Sequence, residues 1–228
     1  MANDYFRFKQ FVVRQHLCAM KVGTDGTLLG AWANGGSCIL DIGTGTGLIL
    51  LMMAQRFPDA DLLGVDIDAD ACRQASENVA DSPFKATVTR ANIININGAF
   101  DCIVSNPPYF NESLECPDAA RTRARHTSSL SYRQLMDSAS RLLTPDGEFS
   151  LVIPFDCKQR IEAEAALAGF FKNRECAVRT TPSKPPRRFL LAYRKHPVEM
   201  VEMTEGILET APNVRSEWYH ELTKDFYL

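Results

Sequence analysis

A strand, a glycine-rich turn and a helix follow one another without interruption around residue 45, and this unit limits the chain to few folds. The apolar run 37–42 leads into the pattern Asp41-x-Gly43-x-Gly45-x-Gly47, and the run 48–57 that follows is rich in Leu, Ile and Met. Glycines let a backbone turn tightly and approach a ligand, and a helix amino terminus offers free N–H groups. A second predicted strand ends in Asp66, 19 residues after Gly47, close to the spacing at which an acid meets a ribose diol. The unit therefore predicts an α/β protein with a ligand site at the carboxyl edge of its sheet.

A further apolar run, 100–105, ends in the motif Asn106-Pro107-Pro108-Tyr109. Proline cannot continue a sheet ladder, so the strand must stop at the edge where open α/β sheets bind ligands. There the Asn106 side-chain oxygen and the Pro107 carbonyl could each accept one N–H of an exocyclic amine, and Tyr109 could stack on its ring. Both hydrogen bonds favour a pyramidal nitrogen whose lone pair points at an electrophilic methyl. Taken alone, the motif fits equally well a proline-rich turn that merely ends a strand.

Asn-Pro-Pro-Tyr resembles the motif of class I methyltransferases that act on a planar, conjugated amine such as adenine N6. The Asp41 loop resembles the S-adenosylmethionine loop of the same superfamily, in which the acid helps to orient the amino acid portion of the cofactor. The resemblance implies that Asn92, where family members frequently have Asp, contacts the cofactor's adenine amine; a turn asparagine is the alternative. For the loop, NAD or FAD binding and a turn without chemistry are the alternatives. S-adenosylmethionine is thus expected at Asp41, Gly43, Gly45, Gly47, Asp66, Asn92 and Asn106.

The order of the segments predicts a single domain, 1–228, with a Rossmann-like class I methyltransferase fold: α/β, a seven-stranded mainly parallel sheet, helices on both faces and an antiparallel last strand. An extension, 1–36, should hold a hairpin within 5–22 and a helix at 26–34 that Thr24 or Asp25 caps and Gly35-Gly36 ends. The core, 37–196, is followed by a tail, 197–228, that packs on it and ends in an amphipathic helix. Further helices are expected at about 70–81, capped by Asp68 and Asp70, 131–143 and 158–168, and further strands at 86–92, 148–154, 171–180 and 188–196, with a turn at 144–147.

Arginines crowd the long polar loop 110–130 that follows the Asn-Pro-Pro-Tyr motif. Arg121, Arg123 and Arg125 could contact the phosphates of a nucleic acid; a solvated loop with internal salt bridges is the alternative. The segment 158–196 carries ten Lys+Arg against three Asp+Glu, although the net charge of the chain is only −3. This segment could be a phosphate-facing surface or an ordinary solvated face.

Three more stretches resemble one family in particular, the bacterial tRNA adenine-N6 methyltransferases that modify the adenine 3′ of the anticodon in a valine tRNA. They are 6–11 (Phe-Arg-Phe-Lys-Gln-Phe), 20–25 (Met-Lys-Val-Gly-Thr-Asp) and 222–228 (Leu-Thr-Lys-Asp-Phe-Tyr-Leu). The resemblance implies Lys21 and Thr24 beside the cofactor, catalysis by Asn106, Pro107 and Tyr109, and a tRNA anticodon loop as the partner. Because Asn-Pro-Pro-Tyr is shared with protein glutamine and DNA adenine methyltransferases, these substrates remain alternatives. A non-catalytic RNA-binding protein of this fold is a third.

Composition excludes several other classes of protein. The seven cysteines are scattered and form no Cys-x-x-Cys pair, so neither a zinc site nor a disulfide framework is predicted. No apolar run reaches the roughly 18 residues of a membrane span, and the amino terminus lacks the layout of a signal peptide. We therefore expect a cytoplasmic monomer with no metal and no membrane partner.

Overall fold

The computed structural model describes residues 4–18, 20–107 and 130–228. Its strands are β1 (Tyr5–Arg7), β2 (Val12–Arg14), β3 (Cys38–Ile42), β4 (Asp61–Asp66), β5 (Thr87–Arg90), β6 (Phe100–Ser105), β7 (Leu143–Pro154), β8 (Phe171–Arg179), β9 (Pro186–Arg194), β10 (Glu202–Ile207), β11 (Glu209–Ala211) and β12 (Val214–Arg215). Its α-helices are α1 (Thr24–Trp32), α2 (Leu48–Arg56), α3 (Ala69–Ala80), α4 (Tyr132–Leu142), α5 (Lys158–Leu167) and α6 (Glu217–Thr223). None of these helices combines the length and apolar character needed to cross a bilayer.

One mainly parallel sheet organises the described residues, with the strand order β10-β8-β9-β7-β6-β3-β4-β5. Strand β9 runs antiparallel to both of its neighbours, and every other adjacent pair is parallel. This confirms the predicted α/β fold and the reversed last strand of the core. The predicted count of seven strands is wrong, because β10 pairs with β8 as an eighth strand. The segment 197–228, expected only to pack on the core, thus supplies part of the sheet.

Alternating side chains of the inner strands build a core on each face of this sheet. Leu40 and Ile42 of β3 pack in the cluster that contains α4 and α5, whereas Ile39 packs with α1 and α2 on the opposite face. All three side chains are fully or almost fully buried. Because burying such a side chain contributes about 1.5–3 kcal/mol, the alternation fixes which face each helix covers.

Helix α1 departs from its predicted boundaries at both ends. It begins at Thr24 with Gly23 as its N-cap and no side-chain cap, so the predicted capping by Thr24 or Asp25 is wrong. It ends at Trp32, before the glycine pair, with Ala33 as its C-cap. At this end, Arg56 donates to the carbonyls of Gly30 and Ala33 at 2.9 and 2.7 Å. These bonds satisfy carbonyls that the helix end leaves open.

The glycine pair has another role. A Cβ at residue 35 would collide with the Phe57 ring, and one at residue 36 would lie 2.6 Å from the Asp101 Cβ. Gly35 and Gly36 therefore allow close packing after the helix and do not terminate it.

The turn predicted at 144–147 lies inside β7. Phe100 pairs with Leu143 and Cys102 already pairs with Glu148, so the pairing of β6 with β7 is irregular across this stretch. The Pro-Asp-Gly signal therefore marks a bulge in a strand that starts at Leu143. The prediction was wrong because composition identifies an interruption without showing whether the chain reverses there.

Two buried amides of α3 fasten the N-terminal hairpin of β1 and β2 to the domain. Asn78 accepts from the Arg14 backbone amide at 2.9 Å and donates to the Arg14 and Thr46 carbonyls at 2.8 Å each. Gln74 accepts from the Leu17 backbone amide at 3.1 Å. At the start of α3, Asp68 caps the helix as predicted, whereas Asp70 lies within its first turn. Leu17 is thereby held at the edge of the sheet where β3 and β4 end.

Candidate active site

Two adjoining cavities open at the carboxyl ends of the parallel strands. The first, of about 420 Å³, is lined by the ends of β3, β4 and β6, by 91–93 after β5, by the start of α4, and by Leu17, Cys18 and Met20. The second, of about 270 Å³, lies between the glycine loop, the start of α1 and Arg188 of β9. Met20, Gly43, Gly45 and Asn106 line both cavities. An elongated ligand could therefore occupy the two together.

The glycine loop requires its glycines because their backbones are left-handed. Gly43, Gly45 and Gly47 have φ values of 73°, 55° and 78°, a region that residues with a Cβ rarely adopt. Gly47 forms the N-cap of α2 and lies outside both cavity linings, as the backbone of Ala75 and its Cβ approach it closely. Gly43 and Gly45, by contrast, line both cavities, and they stay predicted as cofactor contacts.

Asp66 lies at the wall of the first cavity with its carboxylate held in place. Its Oδ2 accepts from the Gly45 backbone amide and its Oδ1 from the Asp68 backbone amide, each at 3.0 Å. A carboxylate oxygen has lone pairs for more than one donor. The side chain can thus brace the loop and still accept hydroxyl donors from a ligand.

Asp41 lies beneath the loop and contributes to neither cavity lining. Its Oδ2 accepts from the Thr44 hydroxyl at 2.7 Å, and its buried Oδ1 has no hydrogen-bond partner among the described residues. Burial raises the pKa of Asp41 to about 7, reinforced by the charge of Asp66 and opposed by the Thr44 hydroxyl and the Leu50 backbone. The structure therefore places the Asp41 carboxylate behind the loop, outside both cavity linings.

Asn106 and Pro107 follow β6 at the junction of the cavities. Pro107 is buried and lines the first cavity, while Asn106 lines both. The Ser105 hydroxyl donates to the Ile42 carbonyl at 2.9 Å, which ties the end of β6 to the end of β3 beside the glycine loop. The geometry thus brings the asparagine predicted to be catalytic next to the loop predicted to bind the cofactor. Tyr109 and the three arginines Arg121, Arg123 and Arg125 lie outside the described residues.

Asn92 caps a turn and also lines the first cavity. Its Oδ1 accepts from the Ile94 backbone amide at 3.1 Å and caps the short 3₁₀ helix Ile93–Asn95, as a turn asparagine would. It also lines the first cavity beside Ile93. Its contact with the cofactor's adenine stays a prediction.

Lys21 and Thr24 line the second cavity. The Lys21 ammonium donates to the Gln15 carbonyl at 2.7 Å, which ties Lys21 to the end of the N-terminal hairpin. The residues that sequence reasoning missed lie nearby: Leu17, Cys18 and Met20 in the first cavity and Asp25 and Arg188 in the second. Burial raises the pKa of the Cys18 thiol to about 11, with the charges of Asp66 and Asp68 adding to it, so this cysteine is a neutral wall residue.

The basic segment 158–196 is mostly neutralised by acids. Six of its ten cationic side chains form ion pairs, namely Lys158, Lys172, Arg174, Arg179, Arg188 and Arg194. Exposed Lys184 and Arg187 form no ion pair with an acid in the described ranges, and both lie in or beside the β8–β9 turn. Since β8 ends at the carboxyl edge, these two charges are on the side of the sheet that carries the cavities. Among residues 4–18, 20–107 and 130–228, no cluster of His, Cys, Asp and Glu could hold a metal ion.

Solved structures of methyltransferases share this fold. A crystal structure described as a predicted O-methyltransferase from Agrobacterium tumefaciens superposes with a TM-score of 0.69 at 17% identity, covering 89% of this chain and 96% of that one. A methyltransferase from Pyrococcus furiosus gives a TM-score of 0.56 at 21% identity, covering 74% and 79%. At these identities the likeness concerns the fold alone.

Sequence relatives are much closer. The family model "Methyltransferase small domain" matches residues 27–182. A protein of Phocaeicola vulgatus named tRNA1(Val) (adenine(37)-N6)-methyltransferase is 49% identical, with 100% of this chain and 99% of that protein covered. A protein of the same name from Parabacteroides distasonis is 46% identical with the same coverage. The chain therefore belongs to the methyltransferase small domain family, within the group of bacterial proteins named tRNA1(Val) (adenine(37)-N6)-methyltransferase.

Proposed function

We propose that this protein transfers a methyl group from S-adenosylmethionine to the exocyclic N6 of the adenine beside the anticodon of a tRNA. The observation that carries the proposal is the position of Asn106, which lines both cavities next to the glycine loop. An acceptor at that junction can meet a target amine that enters from the carboxyl edge. The full-length relatives named for this reaction support the choice of substrate.

The residues of the two cavities fit S-adenosylmethionine in chemical character. Asp66 offers a carboxylate for the two ribose hydroxyls, and Ile67 and Ile93 offer apolar walls for the adenine. The second cavity has polar and charged side chains in its lining, among them Thr24, Lys21 and Arg188, as an amino acid end requires. When bound, the cofactor would supply an electrophilic methyl carried on sulfur.

The chain itself would act on the target amine by position and hydrogen bonding. The nitrogen of an exocyclic amine is a poor nucleophile because its lone pair is delocalised into the ring. Acceptors at the Asn106 side chain and the Pro107 carbonyl would take its two N–H groups and favour a pyramidal nitrogen. Such bonds strengthen as the methyl is transferred, so they lower the barrier of the chemical step. Tyr109 would stack on the base once it is splayed out of the anticodon loop.

The tRNA would approach over the carboxyl edge of the sheet. Lys184 and Arg187 are the exposed, unneutralised cations of the β8–β9 turn on this edge, and Arg121, Arg123 and Arg125 belong to the loop after Tyr109. We propose that these two groups contact tRNA phosphates. We also propose a monomer, acting in the cytoplasm where its substrate is found.

The experiment that tests this function supplies purified protein and S-adenosylmethionine with tRNA from a strain that lacks the enzyme. Nucleoside mass spectrometry should then detect N6-methyladenosine in one tRNA, at the position next to the anticodon. Methylation of a peptide glutamine with none of tRNA would instead assign the protein-glutamine alternative. A chain that binds RNA but shows no affinity for S-adenosylmethionine would be a non-catalytic binding protein.

A further inference from the structure

The second cavity contains an ion pair that joins two distant parts of the chain. Arg188 Nε lies 2.8 Å from Asp25 Oδ1, and the two side chains are only 22% and 26% exposed. Asp25 lies in the first turn of α1, and Arg188 is the third residue of β9. Because β9 is the reversed strand, its beginning lies at the carboxyl edge together with the ends of the parallel strands.

The guanidinium of Arg188 is not fully used by this pair. Its Nη1 is buried and has no hydrogen-bond partner among the described residues. A buried donor without a partner costs free energy, and a charged one costs more, so in folded proteins such a donor is usually completed by another group, by water or by a ligand. The guanidinium presents its donors as a planar fork that matches a carboxylate.

The ligand that would complete this donor follows from the arrangement of the cavities. If the nucleoside of the methyl donor lies in the first cavity against Asp66, its amino acid end must pass Gly43 and Gly45 into the second, since these glycines line both. That end carries a carboxylate. The other cation at the second cavity, Lys21, is exposed and already donates to the Gln15 carbonyl. Arg188, by contrast, has a buried donor without a partner among the described residues.

We propose that Arg188 binds the carboxylate at the amino acid end of the methyl donor, and that Asp25 is a positioning residue that fixes the guanidinium for this contact. The proposal rests on the proposed function, because it concerns the same cofactor. It adds a residue from the reversed strand, which neither the glycine loop nor the Asn-Pro-Pro-Tyr motif would identify. The competing explanation is a purely structural bridge between α1 and β9.

A binding cycle without tRNA separates the two explanations. The full-length chain is titrated by calorimetry with S-adenosylhomocysteine and with its decarboxylated analogue, which keeps the nucleoside and the amine. The parent protein should prefer the carboxylate-bearing ligand by about 10- to 100-fold, the range for a charge-assisted hydrogen bond. Arg188→Met should remove most of this preference by weakening S-adenosylhomocysteine alone. Arg7→Met, which changes an exposed arginine outside both cavity linings, should keep it.

Two further variants protect the test against loss of folding. Arg188→Lys keeps the charge without the planar fork and should give an intermediate preference, and Asp25→Asn should reduce the preference while Arg188 is intact. Equal weakening of both ligands by Arg188→Met would indicate the structural bridge and overturn the proposal. A parent protein with no preference for the carboxylate would overturn it whatever the variants do. If the parent protein binds neither nucleoside, the proposed function itself fails along with it.

Discussion

The carboxylate of Asp66 accepts a hydrogen bond from the Gly45 backbone amide at 3.0 Å, which links the end of β4 to the tip of the glycine loop. The other carboxylate oxygen accepts from the Asp68 amide, so the side chain is oriented before any ligand arrives. A preorganised acceptor loses little conformational entropy on binding. The link joins the two sequence features that first suggested a nucleoside site, the glycine loop and the acid at the end of the next strand.

Replacing Asp66 should weaken the binding of the cofactor selectively. We expect Asp66→Ala to cost about 1.5–3 kcal/mol in the binding of S-adenosylhomocysteine, because charge-assisted bonds to the ribose hydroxyls are lost. Asp66→Asn keeps an acceptor and should cost less. Calorimetry on the folded variants measures both values, with the exposed Asp61→Ala at the start of β4 as the control. Unchanged affinity in folded Asp66→Ala would remove this residue from the site.

Asp41 should make the stability of the protein fall as the pH rises from about 4 to about 7. Its pKa is raised from 3.8 to about 7 in the folded chain, so in this interval the folded state keeps a proton that the unfolded state has released. The folded state then binds more protons, and the free energy of unfolding decreases with pH. Below pH 3.8 both states are protonated and the penalty is absent.

The variant Asp41→Asn should remove this dependence while it keeps an acceptor for the Thr44 hydroxyl. Its gain in unfolding free energy over the parent should grow between pH 5 and 7 and level off above, to an upper bound of about 4 kcal/mol. Urea denaturation of both proteins across this range gives the difference directly. A difference that does not change with pH would contradict a raised pKa at Asp41.

The basic groups on the carboxyl edge should govern tRNA affinity and its salt dependence. We expect Arg121, Arg123 and Arg125 changed together to alanine, or Lys184 and Arg187 changed together, to weaken tRNA binding. Each lost phosphate contact should flatten the slope of log K against log salt by about 0.7–0.9. Cofactor affinity should stay the same. The ion-paired Arg179 is the control, since its charge is already met by Glu205; a triple variant with the parent slope would assign the loop arginines to a solvated face.

The stability of the protein should depend on Gly206 in the eighth strand, β10. Trp218 of α6 lies directly against Gly206 of β10, where a Cβ would collide with the indole ring. We expect Gly206→Ala to lower the unfolding free energy by about 1–3 kcal/mol, the usual cost of overpacking. Thermal or urea unfolding checks this. The double variant with Trp218→Ala should recover part of the loss, and additive losses in the double variant would contradict the contact.

Most of the fold was predictable because its signals are local. Helix α2 and strand β4 match their predicted ranges to within one residue, since continuous apolar runs with glycine or acidic boundaries leave few alternatives. Strand β10 was missed because its sequence, Glu-Met-Thr-Glu-Gly-Ile, is polar and mostly exposed. An edge strand of this kind is held by backbone pairing to β8, which leaves no hydrophobic pattern to recognise.

The residues of the candidate site also include some that the sequence could predict and some that it could not. Gly43, Gly45 and Asp66 were predictable because chain connectivity alone brings a loop and the next strand end together. Arg188 was not, since its place depends on β9 being reversed and so starting at the edge where the other strands end. Asp41 stays predicted as a cofactor contact, although its carboxylate lies behind the loop and bonds to Thr44. Predicting a ligand contact from a motif requires knowing how deeply each side chain is buried, and the spacing of residues in the sequence does not show this.

The central claim is that Asn106 acts on the target amine during methyl transfer, and single-turnover transfer to unmodified tRNA tests it most directly. N6-methyladenosine is followed by mass spectrometry with saturating S-adenosylmethionine, and Asn97→Ala, an exposed asparagine outside both cavity linings, is the control. We predict that Asn106→Ala lowers the rate by on the order of 10²–10³, as for one preorganised hydrogen-bonding group, while fold and cofactor affinity persist. Methyl transfer by Asn106→Ala at the rate of the parent protein would contradict the account.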